Sequence, residues 1–198
     1  KKQSGGHGQF GVAILRVEPM PRGTGFEFVD EIKGGSIPRQ FIPAVEKGVA
    51  ETMDTGGVHG FPVVDIRVFC IDGKHHSVDS SEMSFKRAGR MGFRAAMEQA
   101  NPIVLEPISK IEVVVPADYQ GEIMGDLSSR RGQLQGTEVT ESGRQLITAL
   151  VPTSETLRYA IDLRSMTQGW GTFTIQHDHY EELPTQLYNK IADTKTGD

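Results

Sequence analysis

Residues 108–127 read ISKIEVVVPADYQGEIMGDL, and this stretch decides how the second half of the chain folds. Ile111, Val113 and Val115 recur every second residue, the pattern of a strand with one buried face. Pro116 ends the run and opens a helix, where a missing N–H costs nothing in the first turn. Tyr119, Ile123 and Leu127 then repeat every four residues as one apolar stripe. Working outward, Gln133 to Thr140 reads as a strand, Glu141-Ser142-Gly143 as a turn and Arg144 to Val151 as a strand. Thr153 to Met166 follows as a helix with Ser154 as its candidate cap, and Gly171 to Tyr180 is the last strand.

That order, βαββαβ, is the split-βαβ or ferredoxin-like unit. Toward the N-terminus the pattern differs. Phe10 to Glu18 and Phe26 to Ile32 read as strands joined by the proline- and glycine-rich turn 19–25, which predicts a hairpin. Pro43, with Val45, Val49 and Met53 at i, i+4 and i+8, predicts a helix stopped by Gly56-Gly57. Pro62 to Ile71 reads as a buried strand, and Asp72-Gly73 as a turn. A second helix is expected from Ser80 to Gln99, with Asp79 and Glu82 at capping-box spacing and Asn101-Pro102 as its stop. The whole predicts an α+β protein of two domains, residues 1–107 and 108–184, with a polar tail over 185–198. Pro102 and Pro107 predict a stiff joint between them.

Hydrophobic residues make up 37% and charged residues 24% of the 198, so a core can be buried. No apolar run reaches the roughly 20 residues that span a bilayer. The single cysteine, Cys70, excludes an internal disulfide and a cysteine-built zinc site, which fits a cytoplasmic setting. Net charge is −5. Residues 1–107 hold 13 basic and 13 acidic side chains and the rest 8 and 13, so the excess lies in the second half. Any nucleic-acid contact must then come from local clusters rather than a global field.

Two such clusters stand out. Lys86, Arg90 and Arg94 repeat every four residues with Arg87 beside them, a basic stripe about 12 Å long on a helix rising about 1.5 Å per residue. Arg130-Arg131 is a smaller version, and a solvated helix face is the plainer reading of both. His75-His76 lies next to the Asp72-Gly73 turn, where adjacent side chains of an extended loop diverge, so joint chelation is not expected. His177 and His179 are two apart in a strand and are expected to share a face with Phe173 and Ile175. They are half of a possible metal site or the amphipathic end of a core strand. The glycine-rich KQSGGHGQFG at 2–11 lacks the GxxxxGK[ST] of a phosphate loop. No sequence pattern singles out an acid/base pair, and no metal site is expected.

Several stretches together resemble elongation factor G. Gln3-Ser4-Gly5-Gly6-His7-Gly8-Gln9-Phe10-Gly11 is similar to the first tip loop of that family's domain IV, and Ile42 to Gly48 to its first helix. Pro62 to Asp65 and Asp72 to Glu82 resemble the second tip loop and the helix it feeds. Leu105-Glu106-Pro107-Ile108 resembles the joint into domain V, and Gly125 to Gly132 and Asp162 to Gly169 resemble domain V signatures. The resemblance implies a ribosomal-protein-S5-domain-2-like fold with a left-handed βαβ crossover, followed by a ferredoxin-like sandwich.

The resemblance also implies a ribosomal partner, through rRNA, tRNA and mRNA, and promotion of tRNA–mRNA translocation; a monomer is expected because no long apolar stripe is left unassigned. Contacts are expected from Gln3, Ser4, Gly5, Gly6, His7, Gly8, Gln9, Lys74, His75, His76 and Ser77, with His76 matching the family's tip histidine. Lys86, Arg90, Arg94, Arg130, Arg131, Arg164 and Gln168 are candidate rRNA contacts. The family's first domain IV strand and its GTPase domain have no counterpart here, so the chain reads as a fragment of a longer parent. No cofactor is expected in it, and GTP and Mg belong to the parent's N-terminal domain. His7, Lys74-His75 and Trp170 depart from the family's usual arginine, Ser-Tyr and arginine. These departures keep open a paralogue acting in ribosome recycling, ribosome protection or another non-translocating role. A metal-dependent enzyme using His177 and His179 is the remaining reading.

Overall fold

The computed structural model describes residues 8–56 and 60–188. The α+β expectation holds, and the chain divides into two compact units between Pro102 and Ile103. In the first, β1 (Val12–Pro19), β2 (Phe26–Asp30) and β3 (Ile66–Lys74) form a sheet, with α1 (Ile42–Thr55) and α2 (Glu82–Ala100) packed on it. The strand order is β1-β3-β2, so the expected hairpin does not form. β3 lies between its two strands, antiparallel to β1 and parallel to β2. The 20–25 connection must therefore reach across two strand spacings, roughly 10 Å. Asp65 ties it down: its carbonyl accepts from the Met20 N–H at 2.8 Å and its carboxylate from the Gly25 N–H at 2.9 Å.

Alternation in β3 sends Ile66, Val68 and Cys70 into the core against Val45, Val49 and Met53 of α1 and Phe85, Phe93 and Met97 of α2. Burial there pushes the Cys70 thiol up to about 11, which leaves it an inert core residue. On the other face the Arg16 guanidinium covers the Phe69 ring at 4.1 Å. α1 has its proline in the first turn, as expected, and ends on Gly56 in the left-handed conformation. α1 and α2 touch backbone to backbone at two glycines. A Cβ on Gly48 would lie 2.1 Å from the Lys86 carbonyl oxygen, and one on Gly89 2.4 Å from that of Val45.

Asp72-Gly73 is not a turn. β3 runs on to Lys74, and Asp72 and Gly73 pair with Ile14 and Ala13 beside a bulge in the register. Glycine is needed there for space, since a Cβ would sit 2.3 Å from the Val12 oxygen and 2.5 Å from Ile37.

The second unit is the expected βαββαβ: β4 (Leu105–Val115), α3 (Gln120–Ser129), β5 (Gln133–Val139), β6 (Gln145–Pro152), α4 (Tyr159–Met166) and β7 (Thr172–Glu182). The sheet order is β5-β6-β4-β7, antiparallel throughout. Ile111, Val113 and Val115 meet Ile123 and Leu127 of α3 and Tyr159 and Leu163 of α4 in one core. The helix expected from Thr153 to Met166 is split: Thr153–Thr156 is a 3-10 turn, and α4 follows it. The boundary expected after 107 falls inside β4, where Leu105, Glu106 and Pro107 pair with β7. Pro107 is tolerated because β6 first pairs with β4 at Ile108, so the β6 ladder does not call on its missing N–H, and its carbonyl accepts from the Thr153 hydroxyl at 3.0 Å. Thr185 to Tyr188 makes one helical turn, and the rest of the expected tail lies outside the described residues.

His177 and His179 do not share a face. A bulge in β7 sets His177 opposite Ser109 and His179 opposite Ile108, neighbours on β4 whose side chains leave opposite faces. His177 meets the Tyr180 ring at 4.8 Å. His179 lies between Glu181 (2.9 Å) and Asp178 (2.6 Å), which raise its pKa above the ordinary 6.5, Glu181 the more strongly. A raised histidine pKa stabilises the fold below the unfolded value, and that contribution is lost as pH rises through the folded value. An NMR titration should therefore find the His179 ring titrating above 6.5, and Glu181→Gln should bring it back toward that value.

Candidate functional site

The residues expected in the two tip loops begin with Gln3, Ser4, Gly5, Gly6 and His7, which lie outside the described residues. Gly8 and Gln9 are described, and the structure brings them against the 74–81 segment. The Gly8 N–H donates to the Asp79 carboxylate at 2.9 Å, and the Phe10 N–H to the Asp79 carbonyl at 2.9 Å. The Ser80 hydroxyl donates to the Phe10 carbonyl at 2.9 Å, and the Phe10 ring meets the His76 ring edge-on at 6.2 Å. Arg87 of α2 donates to the Gln9 side-chain oxygen at 2.8 Å. Segments some 70 residues apart are thus laced into one body over the start of α2. Gly8 fits because its missing side chain leaves room for Asp79, 3.1 Å from where a Cβ would be.

α2 is capped by Ser81, whose hydroxyl accepts from the Ser84 N–H at 3.2 Å. The expected cap, Asp79, lies outside the first turn, and this frees its carboxylate to hold the other loop. Sequence reading missed Asp79, Ser80, Phe10 and Arg87 as loop-joining residues. Only the proximity of an acidic residue to an otherwise small, polar loop hints at Asp79.

Lys74, His75, His76 and Ser77 are all exposed. The Nδ1 of His75 lies 3.1 Å from the Ser36 carbonyl, an acceptor, so that nitrogen carries the proton and Nε2 is an acceptor. The Nδ1 of His76 accepts the Val78 and Asp79 N–H groups at 3.3 and 3.2 Å, so its proton sits on Nε2. In the neutral form of each ring, His75 Nε2 is an acceptor and His76 Nε2 a donor.

The basic stripe of α2 is partly occupied. Lys86 and Arg90 reach Glu51 of α1 at 2.7 and 3.4 Å, and the Lys86 bond holds the Glu51 carboxyl below its usual range. Arg94 is exposed and has no ion pair among the described residues. In the second unit Arg130 is bound to Asp126 (2.8 and 3.1 Å), Asp162 (2.8 Å) and the Glu155 carbonyl (2.9 Å), and lies over the Tyr159 ring. Arg131 forms a two-pronged pair with the buried carboxylate of Glu106. Arg130 and Arg131 thus hold the fold together. Arg164 and Gln168 are exposed, Gln168 with a left-handed backbone (φ 51°).

Two family models match the chain: "Elongation factor G, domain IV" over residues 1–101 and "Elongation factor G C-terminus" over residues 103–191. The chain belongs to the elongation factor G family. Among solved structures it is similar to a crystal structure of a Thermus thermophilus protein, with a TM-score of 0.86 and 36% sequence identity. The match covers 100% of this chain and 29% of the Thermus chain, so this chain spans less than a third of that relative's length. The unit carrying the laced loops matches the family's domain IV, and the ferredoxin-like unit its C-terminal domain. No helix among the described residues is long and apolar enough to cross a membrane.

Proposed function

We propose that this chain is the ribosome-engaging C-terminal part of a translational GTPase, and that its two joined loops act at the decoding region during tRNA–mRNA translocation. The observation that carries the reading is the lacing of Gly8 and Phe10 onto Asp79 and Ser80. A loop that must push among RNA backbones has to keep its shape under load, and these bonds join two loops into one wedge. Its exposed edge is small and polar. Lys74 supplies a positive charge, and the His75 and His76 Nε2 atoms supply an acceptor and a donor for ribose, phosphate or base edges. GTP and Mg belong to the parent's N-terminal part, and no catalytic residue is assigned to this chain, which acts in the cytoplasm as part of a monomer.

The test is poly(Phe) synthesis by the full-length parent, wild type against His76→Ala, with GTP turnover followed in parallel. Losing one hydrogen bond of about 1.4 kcal/mol predicts about a tenfold slower synthesis with GTP turnover retained. A parent that hydrolyses GTP on ribosomes yet never supports synthesis would overturn the translocation role. That outcome would favour a paralogue working in recycling or ribosome protection.

A further inference from the structure

The Asp79 carboxylate stands between two donors, one permanent and one conditional. Its Oδ1 accepts the Gly8 N–H at 2.9 Å, the bond that holds the Gly8 end of the first loop. Its Oδ2 lies 3.5 Å from Nδ1 of His76, a nitrogen that donates only when the ring is protonated. In the neutral ring that same Nδ1 accepts the Val78 and Asp79 N–H groups at 3.3 and 3.2 Å. A proton on Nδ1 would face these two N–H groups with like polarity, so both bonds are lost when it binds. The carboxylate already beside the new imidazolium is that of Asp79.

The pull on Asp79 is then unequal. A bond between two charged groups is roughly twice as strong as one between neutral groups, and the Gly8 N–H is a neutral donor. Oδ2 must close from 3.5 Å by about 0.7 Å to make the charged bond. Both oxygens belong to one rigid group, packed 3.1 Å from where a Gly8 Cβ would be, so that movement draws Oδ1 off Gly8. The remaining bonds between the loops use no titrating group. The His76 N–H donates to the Ser80 hydroxyl, which donates to the Phe10 carbonyl, both at 2.9 Å, and the Phe10 N–H donates to the Asp79 carbonyl. The loop therefore stays attached at Phe10 when Gly8 is released.

The other charged or titratable groups on the elements that meet this turn have work of their own or lie in solvent. At the end of β3, Asp72 accepts the Gly73 N–H and Lys74 is exposed. His75 keeps its Nδ1 bond to Ser36 when Nε2 gains a proton. At the start of α2, Glu82 is exposed and Arg87 is engaged with Gln9.

We propose that His76 and Asp79 form a proton-operated latch: beside a neutral ring the carboxylate holds Gly8, and beside a protonated ring it turns to the imidazolium and lets the Gly8 end go. The latch goes beyond the ribosome reading, and only its use in translocation rests on that reading.

The 198-residue chain alone serves for the test. Every form carries His7→Gln, which removes the ring next to Gly8 in sequence. NMR follows the His76 ring and the amide exchange of Gly8, corrected for the intrinsic rate, from about pH 8 to about pH 5. Protection at Gly8 should fall at least about tenfold as the ring takes up its proton, because a bond to a charged acceptor is lost. Phe10, whose N–H is bonded to a backbone carbonyl, should keep its protection. In His76→Gln, which cannot be protonated, Gly8 should stay protected throughout. In Asp79→Asn the amide oxygen can still accept from Gly8 but has no charge to draw it away, so Gly8 should stay constant while the ring titrates. The spread of amide signals checks the fold of each variant. Constant Gly8 protection through the titration of an unaltered His76 overturns the latch. So does a fall that persists in His76→Gln, since another group would then drive it. A joint loss at Gly8 and Phe10 also overturns it, because the whole loop would be detaching in acid. Each of these results leaves the ribosome reading to the poly(Phe) assay.

Discussion

Arg130→Met is expected to cost the second unit about 3 kcal/mol or more, because it strands charge in a partly buried place. The Arg130 and Asp126 side chains are 16% and 18% exposed, and the guanidinium also serves Asp162 and the Glu155 carbonyl. Methionine keeps the apolar stem and contact with the Tyr159 ring but leaves Asp126 facing a low-dielectric surface alone. An exposed pair would be worth only about 0–1 kcal/mol, so the size of the loss distinguishes the two cases. Removing the stranded charge as well should help: Asp126→Asn in the Arg130→Met background is expected to recover more than half of the loss. Trp170 reports this unit alone, so urea unfolding followed by its emission reads the effect without interference from the first unit. A loss below about 1 kcal/mol would show that the cluster is solvent-screened and not a keystone.

The same cluster explains what two signature stretches are for. Gly125 to Gly132 and Asp162 to Gly169 are recognisable in sequence as conspicuous motifs, and the basic pair within them suggests a binding role. In the structure they meet through Arg130 and Asp162, and Gly132 packs where a Cβ would be 2.4 Å from the Leu127 carbonyl oxygen. Charge in a sequence does not say whether a partner carboxylate is near. Asp162 is 32 residues from Arg130, and Glu106 is 25 from Arg131. The exposed Arg164 and Arg94 look no different in one dimension.

Periodicity is local, and it was legible, as was the Gly56 stop of α1; the side-chain caps were not, since Ser81 rather than Asp79 caps α2 and the expected Ser154 cap makes no capping bond. The stripe Val45, Val49, Met53 and the run Ile111, Val113, Val115 are all core. The errors came where a distant strand decided a local question. The 19–25 turn has ordinary hairpin composition, and nothing in it reveals that β3 inserts between the strands it joins. Asp72-Gly73 has turn composition, yet that glycine is set by the Val12 backbone and Ile37, residues far off in sequence. His177 and His179 keep strand spacing, but one extra residue in the ladder turns them apart. In the candidate site His75 and His76 were legible as an exposed pair. Their opposite proton positions were not, because these depend on Ser36 and on the backbone of the following turn.

Gly89→Ala is expected to destabilise the first unit by about 2 kcal/mol, against the helix propensity of the substitution. In an open helix the change from glycine to alanine gains up to about 1 kcal/mol. At Gly89 the new methyl would lie 2.4 Å from the Val45 carbonyl oxygen and 3.1 Å from its Cα, and these are backbone atoms that cannot swing aside. α1 and α2 must then separate, which loosens Val45, Val49, Phe85 and Phe93 together. α2 also carries Ser81 and Arg87 at its start, so the shift reaches the loops that Arg87 and Asp79 hold. Gly125→Ala is the control. It lies on the exposed face of α3 with nothing within 4 Å of the added Cβ, and it should stabilise the second unit by up to about 1 kcal/mol. Thermal melts of the two variants should therefore move in opposite directions. If Gly89→Ala raised the melting temperature as Gly125→Ala does, the backbone contact between α1 and α2 would not exist, and the rigidity claimed for the wedge would go with it.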